Sequence, residues 1–127
     1  RGAEISHSHL NTKDAFWHAK DVTVTDSLLA GEYLGWYSEN LTLVRCKISG
    51  TQPLCYCKGL RLIDCEMVGC DLSFENSTVH ATVKGHVDSI KSPAAGRIEV
   101  DSVGEIVYER APVDGHGCEI VVGKTAR

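Results

Sequence analysis

Residues 17–31 read WHAKDVTVTDSLLAG, residues 36–50 WYSENLTLVRCKISG and residues 55–69 CYCKGLRLIDCEMVG. Set one above another, the three segments align without a gap at a spacing of 19. Val22, Leu41 and Leu60 share one column, and Val24, Leu43 and Leu62 the next. Then come Ser27, Cys46 and Cys65, followed by Leu29, Ile48 and Met67, and by Gly31, Gly50 and Gly69. One period on, Phe74 joins the column of Trp17, Trp36 and Cys55, Val79 joins Val22, and Ala81 joins Val24. One period back, Ile5, Ser8 and Leu10 occupy the places that Val24, Ser27 and Leu29 require. The backward rung plays no part in finding the period, so it tests it.

A fixed spacing of this length marks a repeat architecture in which each unit buries its apolar face against its neighbours. Within a unit the apolar residues alternate, as in Val22-x-Val24 and Leu41-x-Leu43, which is a strand with one buried face. A glycine at the end of three units supplies a tight corner. A rung of 19 residues holds two or three short strands with their corners, but not a capped helix of ordinary length. A leucine-rich repeat is the nearest rival, and its Leu-x-Leu-x-x-Asn signature is absent. Parallel coils stacked ~4.8 Å apart place like residues over one another, and the handedness of parallel crossovers favours the right-handed coil.

The expected fold is therefore all-β, a single-stranded right-handed parallel β-helix of about five or six coils. It forms one domain over residues 1–127, with regular coils in 1–80 and closing coils and a C-terminal cap in 81–127. In the second part, Val79-x-Ala81-x-Val83, Ile98-x-Val100 and Ile106-Val107-Tyr108 read as strands, and Ser92 to Gly96 as a turn. Ile98 and Val100 are expected to continue the Val22 and Val24 columns. Residues 111–117 read as a loop before a last strand from Glu119 to Val122.

The net charge of −4 and a pI near 5.8 supply no basic stripe for nucleic acid or an anionic membrane. No apolar run approaches the roughly 20 residues that span a bilayer. The chain opens on Arg1 with no signal-like segment after it, so it is expected to be a piece of a longer protein. Localisation stays open, with the cytoplasm as the default. An open end coil leaves backbone groups unpaired, and self-association through it is expected.

The stretches Asp14-Ala-Phe-Trp17, Gly31-Glu-Tyr-Leu-Gly-Trp36, Asn40-Leu-Thr-Leu, Leu54-Cys-Tyr56 and Leu72-Ser-Phe-Glu75-Asn-Ser-Thr-Val79 carry a family resemblance. The chain resembles a bacterial family of pectin-lyase-like right-handed β-helix proteins catalogued only as a domain of unknown function. Some members carry a hydrogenase label. The likeness runs from about residue 14 to about residue 107 and corresponds to the family's C-terminal half. It implies the fold and a bacterial origin, and brings no catalytic residues.

Two columns are candidate sites. Asp26, Arg45 and Asp64 form an acidic cluster around a cation, with neighbours ~4.8 Å apart in consecutive rungs. Such carboxylates could act as an acid and base on a polysaccharide, as lyases and hydrolases do. The bland reading is a surface salt-bridge ladder, since the arginine would hold both ionised. His18, Tyr37, Tyr56 and Glu75 form a second column, outward if the Trp17 column faces in. Stacked rings ending at a carboxylate could form a platform for a sugar, and ordinary stacking between coils is the bland alternative. Lys20, Glu39 and Lys58 alternate in charge in a further outward column.

No metal or cofactor is expected. His7 and His9 would share a strand face near Asp26, but a solvated pair is the simpler reading. Six cysteines are present, and Cys46, Cys55 and Cys65 fall on core columns spread around the coil rather than converging as a cluster would need. Free thiols are expected, because parallel side chains in a ladder have poor torsion for a disulfide. Asn40-Leu-Thr42 and Asn76-Ser-Thr78 match the glycosylation pattern, with no such role expected in a bacterial chain. The leading expectation is a non-catalytic scaffold or binding module for a glycan or protein partner. The rival is a polysaccharide-processing enzyme.

Overall fold

The computed structural model describes residues 4–11, 16–91, 93–107 and 118–123, and no helix occurs among them. Ten strands follow in order: β1 (Glu4–Ser6), β2 (His9–Asn11), β3 (Thr23–Thr25), β4 (Leu28–Ala30), β5 (Thr42–Val44), β6 (Lys47–Ser49), β7 (Leu60–Val68), β8 (Thr78–Lys91), β9 (Ala95–Val107) and β10 (Cys118–Val122). Strands β1, β3, β5 and β7 stack in parallel on one side of the coil, and β2, β4, β6 and β7 on another. Strand β7 runs through the corner between the two sides and joins them. Strand β8 stacks on β7, β9 on β8 and β10 on β9. The result is a parallel β-solenoid of about five turns, with about 19 residues per regular coil.

The core follows from the alternation. Ile5, Val24, Leu43, Leu62, Ala81, Ile98 and Ile120 lie in register, forming one line of side chains through the stack. Leu29, Ile48 and Met67 form a second line, each at most 1% exposed. The rung expected ahead of Val24 is present, with Ile5 over Val24 and Leu10 over Leu29.

Corners are made by left-handed residues, most of them not glycine. His7, Asp26, Arg45 and Asp64 have φ of 51°, 52°, 51° and 53°. Such a conformation costs a non-glycine residue ~1–3 kcal/mol unless its surroundings hold it. Here the stack holds it: the amides of His7, Asp26 and Arg45 donate to the carbonyls of Thr25, Val44 and Ile63 in the next coil. Inside the corners sit small hydroxyls and thiols. Ser38 Oγ donates to Phe16 O at 2.8 Å, Cys57 Sγ to Gly35 O at 3.0 Å and Ser77 Oγ to Leu54 O at 2.7 Å. Cys46 and Cys65 play the same part toward Val24 O and Leu43 O. Serine and cysteine interchange here because either puts one short donor beneath a carbonyl of the neighbouring coil.

The spacing of 19 does not hold throughout. Leu54 N–H reaches Leu34 O, 20 residues back, whereas Phe74 N–H reaches Pro53 O, 21 back. One extra residue has therefore entered between Val68 and Phe74. Gly31 and Gly50 share φ of 140° and 125°, and a Cβ on Gly50 would overlap Gly31 O. Gly69, expected in that column, has φ 66° and open space around it. Phe74 consequently stacks on Leu54, fully buried, and not on Trp17, Trp36 and Cys55. The next coil is shorter: Ala81 pairs with Ile98 and Val83 with Val100. Ile98 thus joins the Val24 column and not the Val22 column, whose place is taken by Gly96 over Val79.

Strands β8 and β9 are longer than the alternation suggested, and Ala95 and Gly96 lie in β9 instead of in a turn. The expected loop at 111–117 and Tyr108 lie outside the described residues.

Candidate functional site

The acidic column sits on the left-handed corner, with Arg45 and Asp64 exposed and Asp26 half-buried. Arg45 donates to Asp26 through Nε to Oδ1 at 2.7 Å and through Nη2 to Oδ2 at 3.0 Å. This two-pronged hydrogen bond holds the Asp26 carboxyl below its ordinary pKa and raises that of Arg45. Asp64 acts on Arg45 only as a nearby charge, so the three do not form the symmetrical ladder expected. Both Asp26 oxygens are engaged, an arrangement that suits a corner salt bridge better than an acid–base pair. The corner ladder ends one coil later, where Asp64 N–H turns to Thr82 Oγ1 at 2.8 Å.

The aromatic column is built by the same corner chemistry. His18, Tyr37 and Tyr56 have φ of 55°, 62° and 60°, and their amides donate to Trp36 O, Cys55 O and Glu75 O in the coil beyond. The backbone therefore locks the three side chains outward in file. The rings of His18 and Tyr37 stack at 5.3 Å and 10°, and those of Tyr37 and Tyr56 at 5.1 Å and 11°. Beside them Trp17 and Trp36 stack at 6.2 Å and 24°, each edge-on to Tyr37. Tyr33 and Tyr56 meet Trp36 edge-on at 5.1 Å. Trp36 Nε1 donates to Gln52 O at 2.7 Å.

This arrangement corrects two expectations. Trp17 is 44% exposed and Trp36 half-buried, so their column does not face in. The interior places belong to the residues two before the ladder, such as Leu54 and Phe74. Glu75 does not extend the ladder either. The extra residue of its coil sets it over Cys55, where it is 8% exposed with Lys91 Nζ 3.5 Å away. Asn76, with φ 53°, takes the corner position above Tyr56.

Because the rings stack face to face along the coil axis, they show their edges, not their faces, to solvent. Tyr37 is 45% exposed. His18, Tyr37, Tyr56, Ser38, Glu39 and Lys58 line a shallow groove of about 240 Å³ along the ladder. Lys20, Glu39 and Lys58 are bridged in parallel alongside, as the spacing anticipated. The groove is a periodic row of hydroxyl and charged groups.

The other candidates resolve simply. His7 occupies the corner and His9 begins β2, so the two do not share a strand face. No group of three His, Cys, Asp or Glu side chains suited to a metal ion occurs among the described residues. Cys46, Cys55, Cys57, Cys65 and Cys70 are free and buried. Burial pushes the Cys55 and Cys70 thiols up to about 12 and Cys57 to about 11. Cys65 is raised by its contact with Cys46 and then by burial. These four are packing groups, inert as nucleophiles, whereas the contact with Cys65 lowers the Cys46 thiol.

Sequence reasoning passed over one polar constellation, that of His86, Asp88 and Ser102 on β8 and β9. His86 and Asp88 two apart on a strand were legible, but only the shortened coil brings Ser102 beside them.

A family model described as a protein of unknown function (DUF3737) matches residues 1–121. No curated protein and no solved structure matches the chain.

Proposed function

The chain belongs to this DUF3737 family, described as of unknown function, and we propose that it is a binding module whose ring ladder takes an extended glycan along the coil axis. One observation supports the reading above others. His18, Tyr37 and Tyr56 repeat at 5.1–5.3 Å in an exposed groove, and a regularly repeating surface suits a regularly repeating ligand. That spacing is close to the advance of one sugar residue in an extended chain. The ring edges offer Tyr37 and Tyr56 hydroxyls, which donate and accept. Glu39 and Lys58 add an acceptor and a donor at the same pitch. Sugar hydroxyls bind through such hydrogen bonds, and stacking on ring faces is not required.

Calorimetry with linear oligosaccharides of increasing length tests the proposal. Affinity is expected to rise with length up to the span of the ladder. Tyr37→Phe and Tyr56→Phe keep the stack and remove only the hydroxyls, so each is expected to weaken binding ~5–10-fold at unchanged melting temperature. No heat with any oligosaccharide, or affinity in both variants equal to that of the unsubstituted protein, would sink it.

A further inference from the structure

His86 and Asp88 lie two apart on β8 and so project from one face, with Val87 between them buried in the core. Ser102 on β9 pairs in register with His86. Its Oγ lies 2.7 Å from His86 Nδ1, and His86 Nε2 lies 3.7 Å from Asp88 Oδ1. All three side chains are exposed. For Nδ1 to accept the serine proton, the ring must carry its own hydrogen on Nε2, on the side of the Asp88 carboxylate, which favours that tautomer. Hydroxyl, imidazole and carboxylate thus stand in the order nucleophile, base and orienting group.

The neighbourhood leaves room for a reactant. Gly104 follows Ser102 by two residues, next in the file opposite Asp88. A Cβ there would lie 2.5 Å from Asp88 O and 3.4 Å from His86 Nε2. The bare glycine leaves the Nε2 flank of the imidazole uncrowded.

We propose that Ser102 is a nucleophile toward small carboxylic esters, with His86 as its base and Asp88 as a positioning residue. Ser102 Oγ bonds to the ester carbonyl carbon as its proton passes to His86 Nδ1. The ester C–O bond then breaks, and the departing alkoxide takes that proton and leaves as an alcohol. Water attacks the acyl-serine, His86 receives the water's proton and returns it to Ser102 Oγ, and the carboxylic acid is released. No electrons are exchanged with any other reagent. The open surface places no limit on the alcohol part and offers little grip on it, which fits small, unhindered esters.

A fluorophosphonate probe on the whole chain, read by peptide mass spectrometry, tests this, with p-nitrophenyl acetate hydrolysis as the second measurement. The expected adduct is on Ser102, forming faster than on the exposed Ser6. Ser102→Ala abolishes it, and His86→Gln slows it ~100-fold or more, within the range of general-base catalysis. Asp88→Asn lowers both rates, and Asp88→Glu restores part of the loss, which a merely structural carboxylate would not do. Circular dichroism checks that each surface variant keeps the fold. An adduct no faster than at Ser6, or one that forms equally fast in His86→Gln, overturns the proposal.

Discussion

At Gly50 the backbone has φ 125°, and the position where a side chain would begin is filled by the carbonyl oxygen of Gly31 in the coil below. Two costs coincide there, a left-handed conformation and a collision with backbone that has nowhere to move. Gly50→Ala is expected to destabilise the protein by at least ~3 kcal/mol, read as a lower denaturant midpoint at unchanged slope. The buried thiols show the opposite relation between residue and surroundings. With Cys57 pushed up to about 11 and Cys55 and Cys70 to about 12, all three are protonated across the neutral range. A disulfide-exchange reagent at neutral pH is therefore expected to leave these three untouched in the native protein and to modify them on unfolding. Reaction of any of them with the folded chain would show that the interior opens far more than its packing indicates.

The corner is the element that makes this fold economical of sequence. A left-handed residue turns the chain outside, while a serine or cysteine donates to a carbonyl inside. Ser77 shows how much rests on the inner member. It is fully buried, donates to Leu54 O at 2.7 Å and accepts from Cys57 N–H at 2.9 Å. Ser77→Ala leaves a buried amide and a buried carbonyl without that partner, an expected loss of ~1–3 kcal/mol. Cys57→Ser keeps a donor toward Gly35 O and is expected to cost less. Equal losses in thermal unfolding of the two variants would mean that volume, not hydrogen bonding, governs the corner.

Across the whole molecule, stability passes from coil to neighbouring coil, so a disturbance matters most where the stack is continuous. The chain already carries an extra residue near Gly69, where nothing crowds the backbone, whereas Gly50 lies against Gly31. Insertion of Gly-Ser-Gly after Gly69 is expected to cost less than ~1 kcal/mol, the order of a modest loop extension. The same insertion after Gly50 is expected to lower the melting temperature severely or prevent folding. Matching melting temperatures for the two insertions would contradict the coil-to-coil account. At this scale the ring ladder is also explained: one corner geometry repeated in three coils brings His18, Tyr37 and Tyr56 into file.

The alternation of Val22-x-Val24 and its repeats determined the strands, the parallel stacking and the interior line from Ile5 to Ala81, because burial repeats whenever the apolar pattern does. The same spacing brought His18, Tyr37 and Tyr56 together and paired Asp26 with Arg45. Only the tertiary structure decided which way the columns face around a corner, since Trp17 and Leu54 are both large and apolar and only the left-handed backbone turns one outward and the other inward. It also decided where the count slips by a residue, moving Phe74 into the core, Glu75 beneath Lys91 and Asn76 onto the ladder. A slip of one residue leaves local composition almost unchanged but reassigns the side chains that follow it, until Val79 returns to register with Leu60. Ser102 meets His86 for the same reason: the coil between them is 16 residues long, not 19, and hydrogen bonds between coils, not the repeat, set that length.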